Sequence, residues 1–395
     1  MRTDDSPGIA LRLTTGAAAA LTLLTVVSGV LDAGVAHRVL AALVLPPLIA
    51  AVLAAALVHR RLQLPAWSAL GAFVAAAAVP SRPFHIAFAA VAFAACAWLA
   101  TASWQGEPVA AASLSDYLTL TKPRIMTLLL LTGACGMFVG DRGVPPAGSL
   151  LVMLLGLALA CGGASTLNHV LDRDIDRLMG ARTANRPVAS GRMTAPRAFE
   201  FGVALSAASF VILGSTTNLL TAVLALVGNL FYVVVYTGYL KRRGPGNIVL
   251  GGAAGAVPPL VGYAAATGNL ALPALWLFLI VFFWTPPHFW ALALLLRKHY
   301  AAADIPMLPV VLGDRITARR ILGYTLVLVV LTTLPVLTGT FGTVYLGAAI
   351  GLGAVFIVLA AGLLRSIEGK RAALVFHYSL LYLALLFVFA AADSI

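Results

Sequence analysis

Apolar runs of about 20 residues, the length a helix needs to cross a hydrocarbon layer, recur from residue 13 to residue 392 with only short polar breaks between them. A chain of this kind must satisfy its backbone hydrogen bonds without water, which leaves helices or a closed barrel. Barrel strands alternate apolar and polar positions over about ten residues, whereas the stretch from Leu219 to Val235 is apolar on every side. Charged residues make up 10% of the chain and hydrophobic ones 61%, against roughly 25% charged in ordinary soluble domains. A soluble core is excluded, and the fold class is all-α, a polytopic membrane protein.

Nine spans are predicted in the larger portion: Ile125 to Val139, Ser149 to Leu171, Ala198 to Leu213, Leu219 to Tyr239, Ile248 to Ala266, Leu272 to Leu296, Ile321 to Leu337, Val344 to Leu364 and Ala373 to Ala391. If the first is entered from the cytoplasm, the segments on that side hold 19 Lys and Arg and the opposite loops one, Arg142. The positive-inside rule therefore places these loops in the cytoplasm of a cell-membrane protein. About four further spans, near residues 13–31, 38–57, 64–80 and 85–103, precede a polar break from Ser103 to Ser115. That break divides the chain into residues 1–112 and 113–395, and an even number of upstream spans puts the amino terminus inside as well. The first run reads as retained, because further spans follow it and no clear cleavage site stands out. The net charge of +12 follows from topology and implies no nucleic-acid partner. Cys96, Cys135 and Cys161 lie singly in apolar runs and suggest no disulfide framework.

Three of the fourteen acidic residues fall within Asn168-His-Val-Leu-Asp172-Arg-Asp174-Ile-Asp176, at the cytoplasmic end of the second span of this portion. On one helix Asn168, Asp172 and Asp176 drift by only about 40° per step and share a face; Asp174 points elsewhere. Oxygen ligands without clustered His or Cys favour Mg²⁺, which one or two carboxylates commonly hold together with substrate phosphates. An acidic helix end neutralised by Arg173 and Arg177 is the plain alternative. The following loop adds Arg182 and Arg186, and Lys241-Arg242-Arg243 and Lys122-Pro-Arg124 add two more basic groups on the same side. Each can be an orientation signal, but together with the carboxylates they point to an anionic substrate such as a diphosphate, whose departure cations would assist.

The sixth span of this portion ends Phe282-Phe-Trp284-Thr-Pro286-Pro287-His288-Phe-Trp290. Two prolines are expected to interrupt the helix and open a cavity, where aromatic faces can stabilise a cation and His288 can orient an acceptor or move a proton. Interfacial aromatic residues without chemistry are the alternative. Asp304, in the loop that follows, is either a second cation ligand or a solvated aspartate. His377, in the last span, reads as helix packing.

Residues 115 to 393 resemble the intramembrane prenyltransferases of the UbiA superfamily. The likeness rests on Tyr117 to Ile125, Asn168 to Asp176, Arg182 to Pro187, Tyr236 to Lys241, Asn247 to Pro259, Trp284 to Trp290 and Ile305 to Val310. The Thr285-Pro-Pro-His288-Phe-Trp290 and Pro306-Met-Leu-Pro309 segments point to the branch that makes heme O from heme B (protoheme IX) and farnesyl diphosphate. The resemblance implies Mg²⁺-diphosphate on Asn168, Asp172 and Asp176, with Lys122, Arg182, Arg186, Lys241, Arg242 and Tyr300 as substrate-binding assistants and His288 as a catalytic residue. It also implies a role in terminal-oxidase assembly, with heme A synthase as an expected partner. Where relatives carry an acidic residue before the tyrosine of the second cytoplasmic motif, this chain has His299 before Tyr300, leaving Asp304 or His299 to compensate. Upstream, Ala36-His37-Arg38 and His85-Ile-Ala-Phe-Ala look similar to helix starts of heme A synthase, so His37 and His85 are candidate heme ligands beside a purely structural reading. The competing functions are a sibling prenyltransferase acting on a quinone or chlorophyll precursor, and a non-catalytic transporter or heme-handling protein; no inverted repeat supports the transporter.

Overall fold

The computed structural model describes residues 112–395, so the expected upstream spans, with His37, His85 and Cys96, lie outside the described residues. Ser113 opens α1 (Leu114–Thr121) with a reciprocal cap: Ser113 Oγ accepts from Asp116 N at 3.3 Å and Asp116 Oδ2 accepts from Ser113 N at 3.1 Å. Lys122 ends that helix in the left-handed region, φ 51°, and Pro123, which has no N–H to leave unpaired, starts α2 (Pro123–Asp141). The chain continues through α3 (Ala147–Leu171), the short α4 (Arg173–Leu178) and α5 (Ala181–Ala184), then α6 (Ala195–Thr216) and α7 (Leu219–Leu230). From Phe231 to Tyr239 the last of these widens into a π-helix and closes with one 3₁₀ turn, Leu240–Arg242.

The pair α8 (Asn247–Gly255) and α9 (Val257–Thr267) makes one span with an offset at Ala256. Next come α10 (Leu272–Leu295), the loop helices α11 (Arg297–Ala302) and α12 (Leu308–Val311), and α13 (Asp314–Leu337), α14 (Thr343–Arg365) and α15 (Gly369–Ala392). Among the described residues nine helices are long and apolar enough to cross a membrane, one for each predicted span. The main shift is at α13, which starts at Asp314 and not near Ile321: Arg315, Arg319 and Arg320 carry the helix beyond its apolar segment. Charged residues are good helix formers, so hydropathy marks where the lipid ends and not where the helix does.

The bundle is built in two groups. In the first, α3 lies along α6, α2 along α9, and α7 against α6 and α9; in the second, α10, α13, α14 and α15 pack on one another. Contacts of α15 with α2 and of α8 with α10 join them. Because lipid offers no hydrophobic drive for helices to associate, close approach depends on small residues. A Cβ on Gly262 of α9 would sit 1.8 Å from the Gly133 carbonyl oxygen of α2, and one on Gly136 2.3 Å from the Pro259 oxygen.

The prolines of α10 correct an expectation. Pro286 and Pro287 lie inside a continuous helix. The carbonyls left without their helical donors are those of Phe282 and Phe283, and the turn that follows, Thr285 to His288, is buried among neighbouring helices, a setting in which membrane helices tolerate proline.

Gly262→Ala is expected to lower the thermal unfolding midpoint of the detergent-solubilised protein, since overpacking costs about 1–3 kcal/mol. Gly347→Ala, with nothing within 4 Å of the added carbon, should leave the midpoint unchanged or raise it slightly.

Candidate functional site

The acidic segment does not form one unbroken helix. Leu171 ends α3, Asp172 sits at φ −90°, ψ 4°, and α4 begins at Arg173. The i to i+4 backbone bonds nevertheless run through the corner, Asp172 N to Asn168 O at 2.9 Å and Asp176 N to Asp172 O at 2.8 Å. The expected common face of Asn168, Asp172 and Asp176 therefore survives. All three are buried, the two aspartates to 1% exposure.

Each member meets a cation or donor from a different part of the chain. Lys122 Nζ, at the α1–α2 corner, donates to Asn168 Oδ1 at 2.9 Å. Asn168 Nδ2 donates to Asp172 Oδ2 at 2.7 Å and to Thr237 Oγ1 of the π-helix at 3.1 Å. Lys241 Nζ donates to Asp172 Oδ2 at 2.5 Å, and Arg186 Nη1 to Asp176 Oδ1 at 2.7 Å. Burial and the nearby Arg186 charge bring the Lys122 ammonium down to about 7. Burial raises the Asp176 carboxyl against the opposing pull of Arg186.

Two oxygens are left over: Asp172 Oδ1 and Asp176 Oδ2 are buried without a hydrogen-bond partner. A buried carboxylate oxygen with no donor costs free energy unless a cation or a donor from a ligand reaches it. No three His, Cys, Asp or Glu side chains gather to hold a metal ion anywhere among the described residues, this site included. The donor set here is two carboxylates and an amide, too few to enclose a metal alone and suited to a cation shared with a ligand.

The other sequence-derived residues separate. Asp174 turns outward, as expected, and Arg242 grips it through 2.7 and 2.8 Å bonds while also donating to Leu171 O at 2.9 Å. Those hydrogen bonds hold the Asp174 carboxyl down at about 2. Arg242 thus braces the α3 end and does not touch the acidic pair. The Arg182 side chain lies outside the described residues. Tyr300 is partly buried, and burial pushes its phenol up to about 12 against the opposing charge of Arg186. His299 rests on the α4–α5 connection: a Cβ on Gly180, at φ +100°, would lie 3.1 Å from its ring. Asp304 departs from the expected second cation ligand. It is exposed at φ 52°, and its side chain makes no hydrogen bond or ion pair among the described residues. The reason is local: Ala303 and Ile305 on either side are buried, so the turn points Asp304 outward.

His288 is buried on α10 with its ring between Trp284, centroids 4.3 Å apart, and Phe376, 4.7 Å. Its Nδ1 lies 2.7 Å from Ser379 Oγ of α15. His377 is exposed and turns its Nδ1 to the Ala373 oxygen at 2.7 Å, so it does not pack into the bundle as expected. Sequence reasoning missed Thr237, because nothing in its neighbourhood announces a π-helix, a form that gathers at functional sites. It also missed His169, buried beside Asn168 with both ring nitrogens unpartnered.

The UbiA prenyltransferase family matches residues 129–387, two thirds of the chain. The chain belongs to that family. It is 51% identical over 275 residues to a protoheme IX farnesyltransferase of Symbiobacterium thermophilum, covering 69% of this chain and 92% of that protein. It is 50% identical over 291 residues to one from Roseiflexus sp., covering 74% of this chain and 54% of the relative, so the chain spans about half the length of that protein. Among solved structures, a UbiA homolog from Archaeoglobus fulgidus bound to DMAPP and Mg²⁺ superposes with a TM-score of 0.56 at 18% identity, over 70% of this chain and 98% of that one. At that identity the likeness concerns the fold, and with the nine apolar helices it makes this a multi-pass membrane protein.

Lys241→Met strips a buried carboxylate of its partner and is expected to cost about 3–5 kcal/mol in unfolding measurements. Asp174→Asn breaks an exposed pair and should cost under about 1 kcal/mol.

Proposed function

We propose that the chain is a heme O synthase, transferring the farnesyl group of farnesyl diphosphate to a vinyl group of heme B. The observation that carries this is the pair of partnerless buried oxygens on Asp172 and Asp176, ringed by Lys122, Arg186 and Lys241. Relatives about half identical in sequence bear the name protoheme IX farnesyltransferase.

The free oxygens of Asp172 and Asp176, with Asn168, are suited to a Mg²⁺ ion held jointly with the substrate's diphosphate. When bound, that ion supplies Lewis-acid stabilisation of the charge developing on the leaving group. Lys122, Arg186 and Lys241 act on the same charge: Arg186 and Lys241 donate to the two carboxylates and Lys122 to the Asn168 amide oxygen, and all three can turn hydrogen bonds to phosphate oxygens. Tyr300 offers a further hydroxyl at this edge. The aromatic rings around His288 provide the faces along which a flat acceptor and an allylic cation can meet. Residues 113–395 make up the prenyltransferase domain, and the lipid bilayer gives the long isoprenoid tail lateral entry. The expected partnership with heme A synthase follows from the proposed product.

The test is purified protein with Mg²⁺, farnesyl diphosphate and heme B, read by mass spectrometry. Heme O is expected, and a folded wild-type preparation that makes none would overturn the acceptor assignment. Asp172→Ala and Asp176→Ala should each lower turnover by about 10²-fold or more while leaving membrane insertion intact.

Orientation is a separate proposal: the site faces the cytoplasm of the cell membrane, because the 19 basic residues of this portion gather at its end. With Cys96, Cys135 and Cys161 replaced by alanine, a cysteine at Ala301 should react with an impermeant maleimide only in inside-out vesicles. One at Asn269, exposed at the other end of α10, should react only in right-side-out vesicles.

A further inference from the structure

Three short contacts meet at Ser379. Its Oγ lies 2.6 Å from Phe376 O and 2.7 Å from His288 Nδ1, and its own carbonyl accepts from Trp284 Nε1 at 2.7 Å. A carbonyl oxygen can only accept, so the single hydroxyl proton of Ser379 must lie toward Phe376 O. Oγ then has only lone pairs left to offer the imidazole, and Nδ1 must be the nitrogen that carries hydrogen and donates. A neutral imidazole has one N–H, which leaves Nε2 bare. The ring is 6% exposed, lies between two aromatic rings within a membrane span and is hydrogen-bonded to no carboxylate, so no ion-pair partner holds it as the imidazolium at rest. Nε2 itself makes no hydrogen bond among the described residues and is free to accept one.

Resting on the heme farnesylation reading, we propose that Ser379 is a positioning residue that fixes His288 as the Nδ1–H tautomer so that Nε2 receives the proton of the water that completes the product. In that reaction the C1–O bond of farnesyl diphosphate breaks and its electron pair leaves on the diphosphate. The vinyl π pair forms the new bond to farnesyl C1, leaving a cation on the vinyl carbon next to the macrocycle. A water lone pair forms the C–O bond there, and the surplus proton of that water goes to Nε2. The balance is heme B, farnesyl diphosphate and water giving heme O, diphosphate and one proton. The Nδ1–H bond to Ser379 is kept throughout, so the hydroxyl serves the neutral ring and the imidazolium alike. Trp284, one turn before His288, anchors the same serine carbonyl and keeps α15 in register with α10.

The decisive experiment is solid-state nitrogen NMR of the full chain, labelled at histidine and reconstituted in bilayers, with the His288 signals assigned by their loss in His288→Gln. The wild type is expected to show a protonated Nδ1 and a bare Nε2; an Nε2–H tautomer would overturn the proposal, whatever the enzyme makes. Ser379→Ala should release the ring to the other tautomer or a mixture. The same variant should reduce kcat for heme O by at least about tenfold with KM for farnesyl diphosphate within about twofold, and Ser379→Thr, which keeps the hydroxyl, should restore both tautomer and kcat. Wild-type kcat in Ser379→Ala, or an equal loss in Ser379→Thr, would refute the positioning role. A correct tautomer in a wild-type protein that makes no heme O would leave the hydrogen-bond assignment standing and remove the acceptor reading alone.

Discussion

Two carboxylates buried to 1% exposure at the end of a membrane helix set the terms for the rest of this structure. Burying a carboxylate costs free energy unless donors and cations reach it, and here they come from far along the chain. Lys122 arrives from the corner before α2, Arg186 from the loop after α5, and Lys241 from the end of the π-helical segment. These three bonds tie the starts and ends of different spans to one point, so the site also joins the first group of helices at this end. Breaking a buried pair leaves an uncompensated charge, which is why such bonds constrain the fold more than they stabilise it relative to an apolar core. One oxygen of each carboxylate is buried without a hydrogen-bond partner.

The second group answers a different problem. Its helices must carry polar groups through an apolar layer, and α10 and α15 do so in a clasp that shares Trp284, His288 and Ser379. Because every donor there has an acceptor, the imidazole orientation is decided by valence and not by a charged neighbour. A cation-rich end and a packed aromatic cluster thus occupy the two groups, and the contacts of α8 with α10 and α15 with α2 hold them together.

Much of this was legible in the sequence because the bilayer is a demanding solvent. Apolar runs of helical length predicted all nine described spans, and the spacing of Asn168, Asp172 and Asp176 predicted a shared face that persists despite the break at Asp172. The readings that changed were those resting on one residue type alone. Pro286 and Pro287 suggested an interruption, but the helix runs on through both, buried among its neighbours. Asp304 suggested a ligand by being acidic and nearby in sequence, but the backbone turn between two buried neighbours directs it outward. Arg242 looked equivalent to Lys241 beside it, yet one residue of helical rotation sends it to the exposed Asp174 instead.

The sequence by itself determined the solvent, the number of spans in the described portion and the segment that bears the acidic face, since these depend on local periodicity and on the cost of burying charge in lipid. The tertiary structure decided which cations meet those acids, that Thr237 reaches Asn168, and that Ser379 meets the His288 ring. Hydrogen bonds between residues as much as 95 positions apart leave no periodic trace in a chain, because their partners are chosen by how helices cross and not by what stands next in sequence.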